Sequence, residues 1–310
     1  MAVTIDRVRL ISYNMHGFSQ GRPAIDEIIG THNPDIIAIQ EHWLTPSNLN
    51  KFDDAFPSYY MFGCSAMTKT LELGMLKGRP FGGVLFMIKH ELRNSVELIA
   101  CAERHAIIRV SNCVVVNLYL PCTGTVDRMP IVEDILIDSL SICDRFPECN
   151  YIFVGDFNAE LSSNSDGVAK YLNMVIEEND FYRCDVLFNK SGICTYDNIA
   201  LNNRSAIDYI LSSSKDIITA FEIVDPDINF SDHYPLMVDC KIPNVRSGKI
   251  GHAIYPKCTS RIPLLRWDHA DLSSYYHYTG RWLQPVLTRL DSINKSFVDH
   301  ELSDLSLIHI

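Results

Sequence analysis

The feature that most constrains this chain is a series of short, nearly continuous apolar runs, rich in β-branched residues, through its first 240 positions. They are VRLISYN (8–14), DIIAIQE (35–41), GGVLFMIK (82–89), CVVVNLYL (113–120), YIFVGDFN (151–158), SAIDYILSS (205–213) and HYPLMVDC (233–240). A strand with one face in water alternates polar and apolar residues, whereas a strand covered on both faces does not have to. Between the runs lie segments of helical period. One opens at Pro130, whose fixed φ suits a first helical turn, and separates Ile131, Ile135 and Leu136 from Glu133, Asp134 and Asp138. Another, over roughly 166–180, carries Val168, Leu172, Val175 and Ile176 at helical spacing. Strands interleaved with helices predict an α/β sandwich whose sheets are flanked by helices.

With 310 residues, 47% of them hydrophobic and 21% charged, the chain has ordinary globular composition, which excludes a collagen, a coiled coil or a wholly disordered chain. No apolar run approaches the roughly 18 residues of a membrane span, and the N-terminus lacks the apolar stretch of a signal peptide. Ten cysteines lie scattered without a CxxC pair, so they read as reduced, mostly buried thiols of an intracellular protein, nuclear or cytoplasmic. The formal charge of −11 is uneven: residues 1–240 hold 18 of the 27 basic and 32 of the 38 acidic residues, a net of −14, and 241–310 carry +3. An acidic body argues against a non-specific nucleic-acid binder, which needs cations to displace counterions from phosphate.

Two regions follow: a body over 1–240 and an appendage over 241–310. The appendage opens with KIPNVRSGKIGHAIYPK, whose Pro, Gly, Ser and Lys have the composition of a linker. Asp268 is then placed to cap a short helix through Tyr278, with Trp267, Leu272, Tyr276, Trp282 and Val286 as its sticky residues.

The runs end in polar clusters. Asn14 follows LISY, Gln40 and Glu41 follow DIIAI, and Asn117 and Tyr119 sit in VVVNLYLP. Gly155-Asp156-Phe157-Asn158 follows YIFV, Ser205 and Asp208 precede YILSS, and Ser231-Asp232-His233 opens the last run. Strand ends along one edge of a layered sheet converge on a cleft. Carboxylates and amides without a cysteine–histidine cluster suit a hard cation, Mg²⁺ or Mn²⁺, rather than zinc. On an extended segment Asp156 and Asn158 share a side, so that one activates water while the other holds an oxyanion or the base itself. Asp208 with His233 is the pairing that fixes a tautomer or stabilises imidazolium. Taken singly, GDFN also reads as a turn, SDH as a cap and Glu41 as a solvated loop residue. Their joint occurrence in order at strand ends is what points to chemistry.

Over residues 7–240 these blocks resemble the endonuclease/exonuclease/phosphatase superfamily of deoxyribonuclease I and the apurinic/apyrimidinic endonucleases. SYN (12–14), IQE (39–41), NLYLP (117–121), GDFN, SAIDY (205–209) and SDH (231–233) carry the resemblance. It implies a four-layer α/β sandwich, two packed sheets flanked by helices. It also implies that Glu41 binds metal with Asn14 beside it and Asp232 as an additional acid. Asp156 then orients or deprotonates the attacking water, Asn158 stabilises the transition state, Tyr119 contacts phosphate, and His233, paired with Asp208, binds it. Thr195 matches a DNA-contacting position, and Ser205 and Ser231 complete the candidate substrate contacts. Three departures stand out. His16 replaces an acidic residue of the apurinic endonucleases, Cys122 replaces a common Asn, and 187–204 lacks an aromatic pocket for an abasic sugar.

Within that superfamily, GRPFGGVLFMIK (78–89), SAIDYIL and RWDHADLSSYYHYTGRWL (266–283) resemble the endonuclease domain of non-LTR (LINE-type) retrotransposons. That resemblance implies a Mg²⁺-dependent DNA endonuclease leaving a 3′-hydroxyl and a 5′-phosphate, with Mn²⁺ as a substitute ion. Residues 241–310 would then be a connector toward a reverse transcriptase, which these 310 residues do not include. DNA is the expected partner, with a reverse transcriptase domain or element RNA besides, and no membrane. The alternatives are another phosphodiesterase of the same fold (apurinic endonuclease, ribonuclease or phosphatase), or an inactive remnant that only binds. The phosphatase reading is disfavoured because Val154 precedes Gly155 where those relatives carry Trp.

Overall fold

Each apolar run contains a strand of the computed structural model, which describes residues 3–72 and 78–247. The first sheet runs in the order β13 (Ile218–Ile223), β14 (Leu236–Ser247), β1 (Val3–Asn14), β2 (Ile36–Gln40), β4 (Val84–Lys89), β3 (Tyr59–Cys64). The second runs β5 (Val96–Cys101), β6 (His105–Val110), β7 (Cys113–Tyr119), β8 (Asn150–Asp156), β12 (Asp208–Ser212), β9 (Tyr182–Arg183). The β1–β2 and β7–β8 pairs are parallel and the other pairs antiparallel. A separate hairpin, β10 (Tyr196–Asn198) and β11 (Asn203–Ser205), projects between β9 and β12 in the chain. The helices are α1 (Phe18–His32), α2 (Lys51–Ala55), α3 (Thr68–Glu72), α4 (Arg128–Cys143), α5 (Gly167–Glu178) and α6 (Cys184–Leu187).

Consecutive residues of one strand serve different layers, which explains the unbroken apolar runs. Leu10, Ile36, Ala38 and Phe86 of the first sheet meet Val115, Ile152, Val154 and Ile210 of the second. Their neighbours Ile11, Tyr13, Ile37 and Ile39 turn outward onto Ala24, Ile25 and Ile28 of α1. On the far side, Val114, Val116, Phe153 and Leu211 pack under Val132 and Leu136 of α4 and Val168 and Leu172 of α5. The expected four-layer sandwich is therefore the observed fold. Truncating Ile36 to Ala between the sheets costs about 2–5 kcal/mol, because the packed layers cannot collapse onto the void.

Local signals account for some boundaries and not others. Asp166 caps α5 by accepting a hydrogen bond from Val168 N at 2.9 Å. Helix α4 starts two residues before Pro130, which still falls in the first turn, where a missing N–H leaves no bond unmade. Helix α1 has no such signature: it holds Pro23 internally and opens after Gly17 with no side-chain cap. Its Gly21 lies against the strand-exit loop, where a Cβ would come within 2.3 Å of Met15 Cβ.

Two expectations need correction. Strand β14 continues through Ser247, pairing Lys241 with Arg7 and Arg246 with Thr4, so 241–247 belong to the sheet rather than to a linker. The proposed short helix over 268–278 lies outside the described residues. Cys64 and Cys101 form a disulfide between β3 and β5, with Cα atoms 6.1 Å apart, so the cysteines are not all reduced. Adjoining edges of two sheets bring that pair together, which spacing in the sequence cannot show. Cys113, Cys143, Cys184 and Cys240 are free and buried, as expected.

Candidate active site at the strand ends

Three strands of the second sheet end in register. Tyr119 lies opposite Asp156, and Asp156 lies opposite Asp208. The first sheet delivers Asn14 and Gln40 as a pair, with Glu41 next along the chain. Asn14 bridges the sheets: its amide nitrogen donates to Glu41 Oε1 at 3.1 Å and to Asp156 Oδ2 at 2.9 Å. Two carboxylates far apart in sequence are thus tied through one buried side chain. Glu41, His16 and Asn158 all hold left-handed backbone, with φ of 53, 48 and 49°. Such conformations cost about 1–3 kcal/mol each and persist only where the surroundings over-determine them.

His233 Nδ1 donates to Asp208 Oδ2 at 2.9 Å, which leaves Nε2 3.9 Å from both Asp156 Oδ2 and Asp232 Oδ1. Burial opposes the imidazolium, but Asp208, Asp156 and Asp232 together outweigh it and raise His233 to about 10. Burial, and then the charges of Asp208 and Glu41, push Asp156 up to about 8. Asp232 accepts from His16 Nδ1 at 2.8 Å, and that bond raises His16. Burial works against ionised Asp232, yet His16 and His233 hold it below its ordinary value. Burial followed by Glu41 and Asp156 drives the Tyr119 phenol far up, so it remains a neutral donor. His42, next to Glu41, is different. Burial pushes it down to about 4, Nδ1 accepts from Leu44 N, and Nε2 donates to Cys64 O, which makes it a neutral framework histidine.

The structure brings Asn14, Glu41, Tyr119, Asp156, Asn158, Asp208, Asp232 and His233 into this one region and reassigns some of their partners. Thr195 is 4% exposed, and its hydroxyl donates to Asp208 Oδ2 at 2.8 Å while accepting from Ile207 N and Asp208 N. This buried hydroxyl, its proton engaged, holds Asp208 in place. Ser231 likewise donates to Asn14 O at 2.8 Å and accepts from His233 N. Ser205 sits half-buried at the base of the hairpin, where its backbone oxygen accepts from Thr195 N. Asn158 shares a side with Asp156 through its left-handed turn, not through an extended segment. Both of its amide protons are taken, by Asp156 Oδ2 at 3.0 Å and Leu120 O at 2.9 Å. In this arrangement Asn158 braces Asp156. Asn117 points between the sheets, donating to Ile39 O and Leu85 O and accepting from Gln40 Nε2 at 2.6 Å, so it brackets the layers together.

Sequence reasoning passed over two supporting residues. Arg128 donates to Asn158 O at 2.6 Å, to Pro121 O at 3.0 Å and to Asp166, pinning the turn that follows β8. Trp43 donates its indole N–H to Glu41 Oε2 at 2.8 Å. The only trace of the latter in the sequence is a hydrogen-bonding aromatic two positions after a strand-end carboxylate.

Ligand atoms of Asp156, Asp208 and His233 fall within 4.8 Å of one another. These three are the one group of acidic and histidine side chains among the described residues whose spacing suits a metal ion. Glu41 and Asp156, linked through the Asn14 amide nitrogen, are oxygen donors of the kind a hard divalent cation takes.

A two-sheet sandwich with carboxylates, amides and two histidines gathered at its strand ends is the arrangement of a phosphate-ester hydrolase. The chain belongs to the Endonuclease/Exonuclease/phosphatase family, whose model matches residues 11–233. No curated protein matches the sequence. Among solved structures, an AP endonuclease, LMAP, from Leishmania major is similar with a TM-score of 0.60 at 14% identity, covering 77% of this chain and 89% of that one. A 3′ phosphatase, NExo, from Neisseria bound to a product DNA hairpin is similar with a TM-score of 0.56 at 13% identity, covering 76% of this chain and all 100% of that one. The 3′-5′ exonuclease NExo from Neisseria meningitidis gives 0.55 at 13% identity, with coverage of 76% and 100%. At these identities the likeness establishes the fold. No helix among the described residues is long and apolar enough to cross a membrane.

Proposed function

We propose that this protein is a Mg²⁺-dependent DNA endonuclease that nicks one strand, leaving a 3′-hydroxyl and a 5′-phosphate. The observation that carries this reading is Asp156, a buried carboxylate raised to about 8 and held by Asn14 and Asn158 beside the Asp208–His233 pair. A base works best when its affinity for protons lies near the working pH. Asp156 takes a proton from water as the water oxygen bonds to phosphorus, and the bond from phosphorus to the 3′ oxygen breaks in line. His233, charged and oriented through Nδ1 by Asp208, presents Nε2 to a non-bridging phosphate oxygen. Tyr119 donates from its neutral phenol on the same side. Glu41, Asn14 and Asp232 would hold the cation, which supplies positive charge to the departing oxygen.

The resemblance of residues 78–89 and 266–283 to non-LTR retrotransposon endonucleases supports a role in opening target DNA for reverse transcription, with the residues after Ser247 as connector. The test is a supercoiled-plasmid nicking assay with Mg²⁺. Asp156→Ala should lower the rate roughly 10²–10⁴-fold, the usual loss for a positioned acid or base. The nick should be extendable by a polymerase without end repair. Unextendable nicks overturn the assigned polarity, and wild-type rates in Asp156→Ala overturn the site. Cleavage of RNA in preference to DNA would shift the reading to a ribonuclease.

A further inference from the structure

Trp43 stands two residues beyond Glu41 in a turn where both have left-handed backbone, each with φ of 53°. That repeat aims the two side chains to one side, and the indole N–H reaches Glu41 Oε2 at 2.8 Å. The turn is fastened from outside: Gly17 N donates to Glu41 O at 2.7 Å, Phe18 N to His42 O at 3.0 Å, and Trp43 N to Gly82 O at 3.1 Å. The ring is equally confined. The His16 ring lies 4.6 Å from it, the Arg79 guanidinium lies 5.4 Å over it, and a Cβ on Gly17 would come within 2.6 Å of its Cε3. With His16 and Arg79 against it, the indole is a strut rather than an open platform for stacking a base.

The Glu41 oxygens are therefore held by different donors, Asn14 at Oε1 and Trp43 at Oε2. A carboxylate with each oxygen held by its own hydrogen-bond donor has little freedom to rotate and embrace an ion with both. Mg²⁺ demands near-ideal octahedral geometry, which a single oxygen from each carboxylate satisfies, whereas Ca²⁺ takes six to eight ligands and accepts bidentate carboxylates. We propose that Trp43 is a positioning residue that holds Glu41 to single-oxygen coordination, strengthening the site for a small divalent cation and discriminating against Ca²⁺. This rests on Glu41 being a cation ligand, as in the function proposed above. Outer partners of metal ligands typically contribute 10–100-fold in affinity, and that sets the expected size of the effect.

The test is a Mn²⁺ titration of the full chain without DNA, followed by electron paramagnetic resonance, with Mg²⁺ and Ca²⁺ as competitors. Trp43→Phe keeps the ring and removes the N–H; Trp43→Leu removes both; Glu41→Gln reports whether Glu41 binds the ion at all. Thermal melts and circular dichroism confirm that each variant folds. The expected result is a Mn²⁺ Kd raised about 10-fold or more in Trp43→Phe and by a similar factor in Trp43→Leu. The advantage of Mg²⁺ over Ca²⁺ in competition should shrink in both. If Trp43→Phe titrates and discriminates like wild type while Glu41→Gln does not, the inference is wrong and the Glu41 site survives. If Glu41→Gln itself titrates like wild type, the Glu41 assignment falls and takes the inference with it.

Discussion

Replacing Thr195 with Val separates two readings of this residue, substrate contact and internal support. The two side chains have nearly the same shape, so no cavity opens and the change is confined to hydrogen bonding. The wild-type hydroxyl donates to Asp208 Oδ2 at 2.8 Å and accepts from Ile207 N at 3.1 Å and Asp208 N at 3.0 Å. In Thr195→Val two backbone N–H groups share the loss of one acceptor, and a buried carboxylate loses a donor. An unsatisfied buried group costs about 1–3 kcal/mol, so the summed effect is about 2–4 kcal/mol. Against total stabilities of about 5–15 kcal/mol, that is a large fraction. Urea unfolding should show a lower midpoint with an unchanged slope, because the surface exposed on unfolding is the same. Nicking by the folded variant should lose kcat with KM little changed, because Asp208 holds His233. A midpoint equal to wild type together with a raised KM would refute this argument and return Thr195 to the substrate surface.

The metal-free protein should lose stability as pH rises. Asp156 and His233 both bind protons more tightly when folded, about 8 against 3.8 and about 10 against 6.5. The Asp156 contribution is complete below pH 3.8 and lost toward 8, and that of His233 is complete below 6.5 and lost toward 10. Asp156→Asn should therefore flatten the fall in Tm between pH 4 and 8, and an unaltered slope in chelator would contradict it. Residues 248–310 hold seven basic and six acidic residues, with Lys249, Lys257, Arg261 and Arg266 clustered at their start; if that cluster binds phosphate, truncation after Ser247, which spares β14, should raise the DNA concentration for half-maximal nicking. The salt slope of binding should become shallower by about 0.9 for each phosphate that the tail no longer neutralises, with the maximal rate retained. Equal affinity and equal salt slope would leave the tail a tether.

The sequence by itself determined seven of the fourteen described strands and the polar residue types that end them. Continuous apolar runs such as DIIAI and VVVNLYL mark strands covered on both faces, because side-chain direction alternates along a strand and each direction has its own layer to fill. The polar residues that end those runs could be read as one constellation because strand ends are set by local period. Helix α1 escaped notice because Pro23 and its glycines oppose it locally, and packing of Ile25 and Ile28 on the sheet overrides that preference. Strands β3 and β5 carry weaker alternation and lie at sheet edges. Only the tertiary structure decided which polar groups hold others in place. Asn14 reaches Asp156 across 142 residues, Thr195 turns inward to Asp208, and Trp43 turns back to Glu41. Residue type says what a side chain is able to donate or accept. Where it donates depends on register across the sheets and on a few left-handed turns, which are set by contacts distant in the chain.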